Sequence, residues 1–172
     1  MRHFVAYTDG GSRGNPGPAA SSFVLYETFT DGSRHHLVTK GFYIGEQTNN
    51  VAEYAALEYL LAEMNQMDPG NCSLTVFADS LLMVNQVKGL WAVKNPILKV
   101  HVDDVHTLSY KIASVEIHHT ARENNKVADA ACNTVLDSVE KATSPLKGPV
   151  LRMEMTLWGS SASGVCANFS NV

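Results

Sequence analysis

The chain has 172 residues, 45% hydrophobic and 17% charged, enough for one domain that buries a core without staples. A net charge of −4 and a pI near 5.9 exclude a protein that grips nucleic acid through a broad basic surface. Cys72, Cys132 and Cys166 are odd in number and widely spaced, which argues against a disulfide framework or a zinc site and fits a reducing, cytoplasmic compartment. No signal peptide and no membrane span is expected, because no charged region precedes an apolar run and no apolar run approaches spanning length.

Alternating residues predict strands over about 2–9, 20–29 and 34–44, with a hairpin turn at Asp31-Gly32 between the last two. From Thr48 the period becomes helical, capped by Thr48 or Asn49 and stopped before Pro69-Gly70. Ser73–Asp79 reads as a short strand ending on a carboxylate. Ser80 caps a helix to about Lys88, closed by Gly89, and Asn95-Pro96 starts another to about Ser109. Residues 112–119 read as a strand, and Asn124 or Asn125 opens a last helix with Val127, Ala128, Ala131, Val135, Leu136 and Val139 on its apolar face. The order βββαβααβα suggests a mixed sheet flanked by helices. Beyond Ser144-Pro145, Val150–Trp158 alternates like an edge strand and Gly159–Gly164 is small and polar.

Asp9 stands where the first strand meets the glycine-rich stretch Gly10-Gly11-Ser12-Arg13-Gly14-Asn15-Pro16-Gly17. Missing β-carbons there let a polyanion or a metal approach closely, although Asp-Gly also marks plain turns. Asp79 closes a second strand, Glu53 lies early in a helix and Asp129 early in another. Ends of neighbouring parallel strands share one sheet edge, the usual ligand side of an α/β sheet. Taken singly, each acid reads as well as a surface residue or a turn former. Together, four carboxylates repel unless cations neutralise them, and hard divalent ions with oxygen ligands are the natural partners. Two such ions hold the attacking water and the leaving oxygen of an in-line displacement at phosphorus.

The blocks Asp9–Gly17, Thr48-Asn49-Asn50-Val51-Ala52-Glu53, Ala78-Asp79-Ser80 and Arg122-Glu123-Asn124-Asn125-Lys126-Val127-Ala128-Asp129 resemble the four signature blocks of type 1 ribonuclease H. Gly89–Asn95 resembles the family's Gly-x-Trp segment, and the match covers about residues 2–140. The resemblance implies a ribonuclease H-like α/β fold, with a five-stranded mixed sheet of three antiparallel and then two parallel strands. It implies a catalytic domain at 1–142, leaving 143–172 as an extension without an assigned role. It further implies Mg²⁺- or Mn²⁺-dependent cleavage of the RNA strand of RNA–DNA hybrids, leaving 3′-hydroxyl and 5′-phosphate ends. Asp9, Glu53, Asp79 and Asp129 would then bind two ions, with Asp9 bridging them.

Asn15, Thr48, Asn49 and Asn50 are suited to the 2′-hydroxyls and phosphates of the hybrid, alongside Gly10 and Gly11. Thr48 can serve as a helix cap at the same time. Trp91 either packs in the core or stacks on a sugar of the DNA strand. Arg122 and His119 are the candidate auxiliaries, although a strand-end histidine without catalytic duty reads equally well. One departure is plain: residues 88–111 hold few lysines and include Asp103 and Asp104, so the lysine-rich protrusion of some members is absent. The remaining alternatives are a non-catalytic nucleic-acid-binding module, a nuclease preferring double-stranded RNA, and a detached domain related to reverse transcriptases or integrases. A monomer without membrane or disulfide partners is expected.

Overall fold

The computed structural model describes residues 1–143 and 165–168 of the chain. In order they form β1 (Arg2–Ser12), β2 (Gly17–Thr28), β3 (Arg34–Gln47), α1 (Asn49–Met64), β4 (Cys72–Ala78), α2 (Leu81–Val87), α3 (Pro96–Ser109), β5 (Ser114–His119), α4 (Lys126–Thr143) and β6 (Val165–Asn168). The sheet runs β5-β4-β1-β2-β3-β6. β1, β2 and β3 are antiparallel neighbours, while β4 and β5 run parallel to β1. This is the five-stranded mixed sheet expected from the sequence, with one unforeseen addition: β6 pairs antiparallel with the outer edge of β3. The stretches 150–158 and 159–164 lie outside the described residues. Among the described residues no helix is long and apolar enough to cross a membrane.

Alternation explains the layering. In β4, Cys72, Leu74, Val76 and Ala78 are buried while Ser73, Thr75 and Phe77 are only partly covered, so one face carries the main core. α1 packs on that face and α3 packs on α1, which leaves α1 buried on nearly every side from Val51 to Met64. α4 lies on the opposite face, against β1, β2 and β3, through Ala128, Ala131, Cys132, Val135 and Leu136. β2 is therefore covered on both sides, and Ala19 through Leu25 form an unbroken buried run.

Some boundaries differ from the sequence expectation. β1 does not stop at Asp9 but continues to Ser12, because β2 supplies an antiparallel ladder through Asp9↔Ser22, Gly10↔Ser21 and Gly11↔Ala20. Thr48, rather than Asn49, caps α1, its Oγ1 accepting from the Val51 N–H at 3.3 Å. β5 begins at Ser114, two residues after the expected start. Of Asn124 and Asn125, it is Asn125 that opens the last helix: a single 3-10 turn spans Arg122–Asn124, α4 starts at Lys126, and the Asn125 carbonyl accepts from the Asp129 N–H at 3.0 Å. Its side chain is also a buried anchor, the Nδ2 donating to the Thr8 carbonyl at 2.8 Å. That bond ties the start of α4 to the end of β1's parallel ladder.

Candidate active site

Thr8 pairs with Ala78 in the parallel ladder, so Asp9 and Asp79 are the next residues along two neighbouring strands. Residues at matching register point to the same face, which brings the two carboxylates together. Glu53 arrives from above. A β-carbon on Gly10 would lie 2.2 Å from the Ala52 carbonyl carbon and 2.3 Å from the Glu53 nitrogen, so α1 rests its backbone directly on this glycine. Oxygens of Asp9, Glu53 and Asp79 all fall within 4.8 Å of one another. Asp129, in the first turn of α4 where the helix dipole favours an acid, lines the same pocket of about 200 Å³.

Such crowding has electrostatic consequences. Two unit charges about 5 Å apart at an effective dielectric of 20 repel by about 3 kcal/mol. Burial first, then the charges of Asp79 and Asp129, push Asp9 up to about 6. Glu53 is raised well above the usual carboxylate range by burial and by Asp9 and Asp79, opposed by a hydrogen bond from the Gly10 backbone. Its Oε2 is buried without a hydrogen-bond partner. A hard divalent cation would satisfy that orphaned oxygen and neutralise the cluster, so the donor set fits Mg²⁺ or Mn²⁺.

Asp129 is held differently. The Arg122 guanidinium donates to its Oδ1 at 2.8 Å and the Asn133 amide to its Oδ2 at 3.2 Å. The hydrogen bond to Asp129 in turn raises Arg122 above the ordinary arginine value. Arg13, in the glycine-rich turn, reaches across to Asp137 at 2.5 Å and Glu140 at 3.5 Å, fastening that turn to α4.

Of the residues singled out in the sequence, Asp9, Gly10, Gly11, Asn49, Glu53, Asp79, Arg122 and Asp129 line the pocket. Asn15, Thr48, Asn50, Trp91 and His119 lie outside its lining. Asn15 is nonetheless coupled to it, its Oδ1 accepting from the Asn49 N–H at 3.1 Å and so satisfying a free amide at the α1 terminus. His119 is exposed at the end of β5, paired with Ala78. Trp91 is 46% exposed on the α2–α3 link, which removes the core-packing alternative.

That link is anchored from beneath. The Leu90 and Trp91 N–H groups both donate to the Asn85 carbonyl, and the Gln86 amide donates to the Ala92 carbonyl at 3.1 Å. Gln86 accepts in turn from the Tyr54 hydroxyl at 2.6 Å, one residue after Glu53.

The pocket also contains Ser12, Arg13, Cys132, Asn133 and Leu136, none of which was expected there. The last three follow Asp129 at helical spacings of three, four and seven, the positions that share its face of α4. That periodicity was the available signal. Cys132, buried beside the carboxylates, has its thiol pushed up by burial and by Asp9 and Glu53, and is a neutral wall of the pocket.

A family model described as Reverse transcriptase-like matches residues 7–135. The "Bifunctional protein Rv2228c" of Mycobacterium tuberculosis is 34% identical over 141 residues, covering 81% of this chain and 37% of that protein. A "Ribonuclease HI" of Halobacterium salinarum is 37% identical over 132 residues, 77% of this chain and 63% of the relative. The chain thus spans less than two thirds of the length of either. Among solved structures, a ribonuclease H1 isolated from compost, crystallised with an RNA/DNA hybrid, is 34% identical with a TM-score of 0.66. That comparison covers 77% of this chain and 99% of the solved one. Acids in β1, just past β4 and early in two helices, the matching family model and these relatives lead to one conclusion: the chain belongs to the type 1 ribonuclease H family.

Proposed function

We propose that this chain is an endonuclease that hydrolyses the RNA strand of RNA–DNA hybrids, leaving 3′-hydroxyl and 5′-phosphate ends. The observation that carries the reading is the convergence of Asp9, Glu53 and Asp79 within 4.8 Å, with Asp129 in the same pocket. Asp9, Glu53, Asp79 and Asp129 would hold two divalent ions, Mg²⁺ or Mn²⁺, with Asp9 shared between them. When bound, the ions supply charge neutralisation at the phosphate and a water acidic enough to attack it.

The chain's own residues do the rest. Burial of Asp9 and Glu53 lowers the screening of their charges by bulk water, which strengthens their attraction for a divalent ion. Arg122 holds the Asp129 carboxylate in one orientation and places a positive charge at the pocket mouth, where a phosphate enters. The Asn15–Asn49 pair, with Thr48, Asn50 and the backbones of Gly10 and Gly11, offers short polar groups of the kind that read 2′-hydroxyls across a minor groove. Trp91 presents an exposed indole for a sugar of the other strand. His119, exposed at the end of β5 and paired with Ala78, is a further auxiliary candidate.

The test is a cleavage assay on a labelled hybrid, both single strands and both homoduplexes, in Mg²⁺ and in Mn²⁺. Cleavage of the hybrid's RNA alone is expected. No cleavage of any substrate in either metal sinks the reading, tight hybrid binding without cleavage identifies a binding module, and equal cleavage of double-stranded RNA identifies a different duplex preference. In the same assay Trp91→Ala is expected to raise KM for hybrid about tenfold, the loss of one stacked group, while kcat stays within about twofold.

A further inference from the structure

Two consecutive residues of β2, Ser21 and Ser22, are fully buried polar side chains in a strand whose other buried members are apolar. Neither binds the pocket: they stand opposite Gly10 and Asp9 in the β1–β2 ladder, behind the carboxylates. Strand alternation sends the two hydroxyls to opposite faces of the sheet. Ser21 Oγ donates at 2.7 Å to the carbonyl of Ala52, and Ser22 Oγ donates at 2.6 Å to the carbonyl of Ala128. Ala52 immediately precedes Glu53 and Ala128 immediately precedes Asp129. Adjacent residues of one central strand therefore fasten, from either side, the two helices that deliver acids to the sheet edge.

We infer that Ser21 and Ser22 are positioning residues for the metal site, setting where Glu53 and Asp129 stand relative to Asp9 in β1 and Asp79 just past β4. The inference deepens the nuclease reading and rests on it for the identity of the ions. Its physical basis is rigidity. Both accepting carbonyls lie inside helices whose own ladders continue, so losing a serine hydroxyl leaves each helix intact but held to the sheet by one tie fewer beside its acid. A shift of a few tenths of an ångström is tolerable for packing and damaging for an ion that needs fixed oxygen geometry.

The experiment compares wild type, Ser21→Ala and Ser22→Ala by calorimetric titration of Mn²⁺ into the purified full chain. Thermal melts without metal and steady-state cleavage of hybrid accompany it. Both variants are expected to fold, to bind Mn²⁺ about tenfold more weakly, as when partners behind metal ligands are removed, and to lose kcat with KM for hybrid held within about twofold. Mn²⁺ affinity within about twofold of wild type in both variants, whatever the melting temperatures, overturns the inference. Should an alanine variant fail to fold, Ser→Cys at the same position, similar in size and a weaker donor, carries the same expectation. Failure of that variant to fold as well assigns the serine to structure and overturns the inference too. Because the titration needs no substrate, it stands even if wild type cuts no hybrid, which would count against the nuclease reading alone.

Discussion

Asp9→Asn will give a folded protein that cleaves no hybrid in Mg²⁺ or Mn²⁺ and that melts higher than wild type when divalent ions are chelated. Asparagine keeps the shape of the side chain and removes its charge from the middle of the cluster. Loss of this proposed metal ligand is expected to lower kcat by at least about a thousandfold, roughly 4 kcal/mol of barrier. The gain in stability has the same origin. Asp9 is raised to about 6 by burial and by the charges of Asp79 and Asp129. In the folded state it therefore holds a proton at pH values where the unfolded chain has released it. Stability from this group is fully present below its ordinary value near 3.8 and is lost as pH rises through about 6. The penalty at pH 8 is on the order of 2–3 kcal/mol, and a neutral amide escapes it.

Calorimetry with EDTA at pH 5 and pH 8 checks this. Wild type should be less stable at pH 8, and Asp9→Asn should show a flatter profile. His101, raised by its hydrogen bond to Glu58, slopes in the same direction, so the difference between variant and wild type is the decisive quantity. Equal stabilities of the two proteins at pH 8 would mean that the carboxylates are not crowded. Added Mn²⁺ should raise the wild-type melting temperature and leave the variant's nearly unmoved.

Gly10→Ala will be severely destabilised, by about 3 kcal/mol or more, while Gly11→Ala next to it stays within about 1 kcal/mol of wild type. The first change drives a methyl to 2.2–2.4 Å of the backbone of Ala52 and Glu53, where only movement of the whole helix relieves the clash. The second places one 3.6 Å from the Cys132 sulfur and 3.9 Å from a Leu136 methyl, which are ordinary contacts. Urea denaturation of both variants measures the contrast. Similar losses at the two positions would show that α1 does not rest on Gly10.

The same pair of glycines shows how far the sequence could be read. Their proximity to Asp9 suggested room for a ligand, yet the missing β-carbon of Gly10 makes room for α1, a contact made across more than forty residues of chain. Asp79 was legible because its strand ends where alternation ends. Asp9 was legible as a candidate but not as a residue inside β1, since what prolongs the strand to Ser12 is the ladder with β2 rather than anything local. The order of strands and helices from β1 to α4 followed from period and punctuation alone. Ser21 and Ser22 left no mark in the sequence, because their acceptors lie 31 and 106 residues away on different helices. β6 was equally invisible, since a four-residue strand takes its identity from the edge that it meets.

The hydrogen-bond path from Tyr54 through Gln86 to the Ala92 carbonyl bears on engineering. The connection after α2 is the natural place to graft a lysine-rich segment and tighten the grip on nucleic acid. Its near end hangs from the helix that carries Glu53, so an insertion beginning before Ala92 pulls on the cluster itself. Insertions placed between Ala92 and the Asn95 cap of α3 leave that suspension untouched, and there a longer loop can be exchanged as a module.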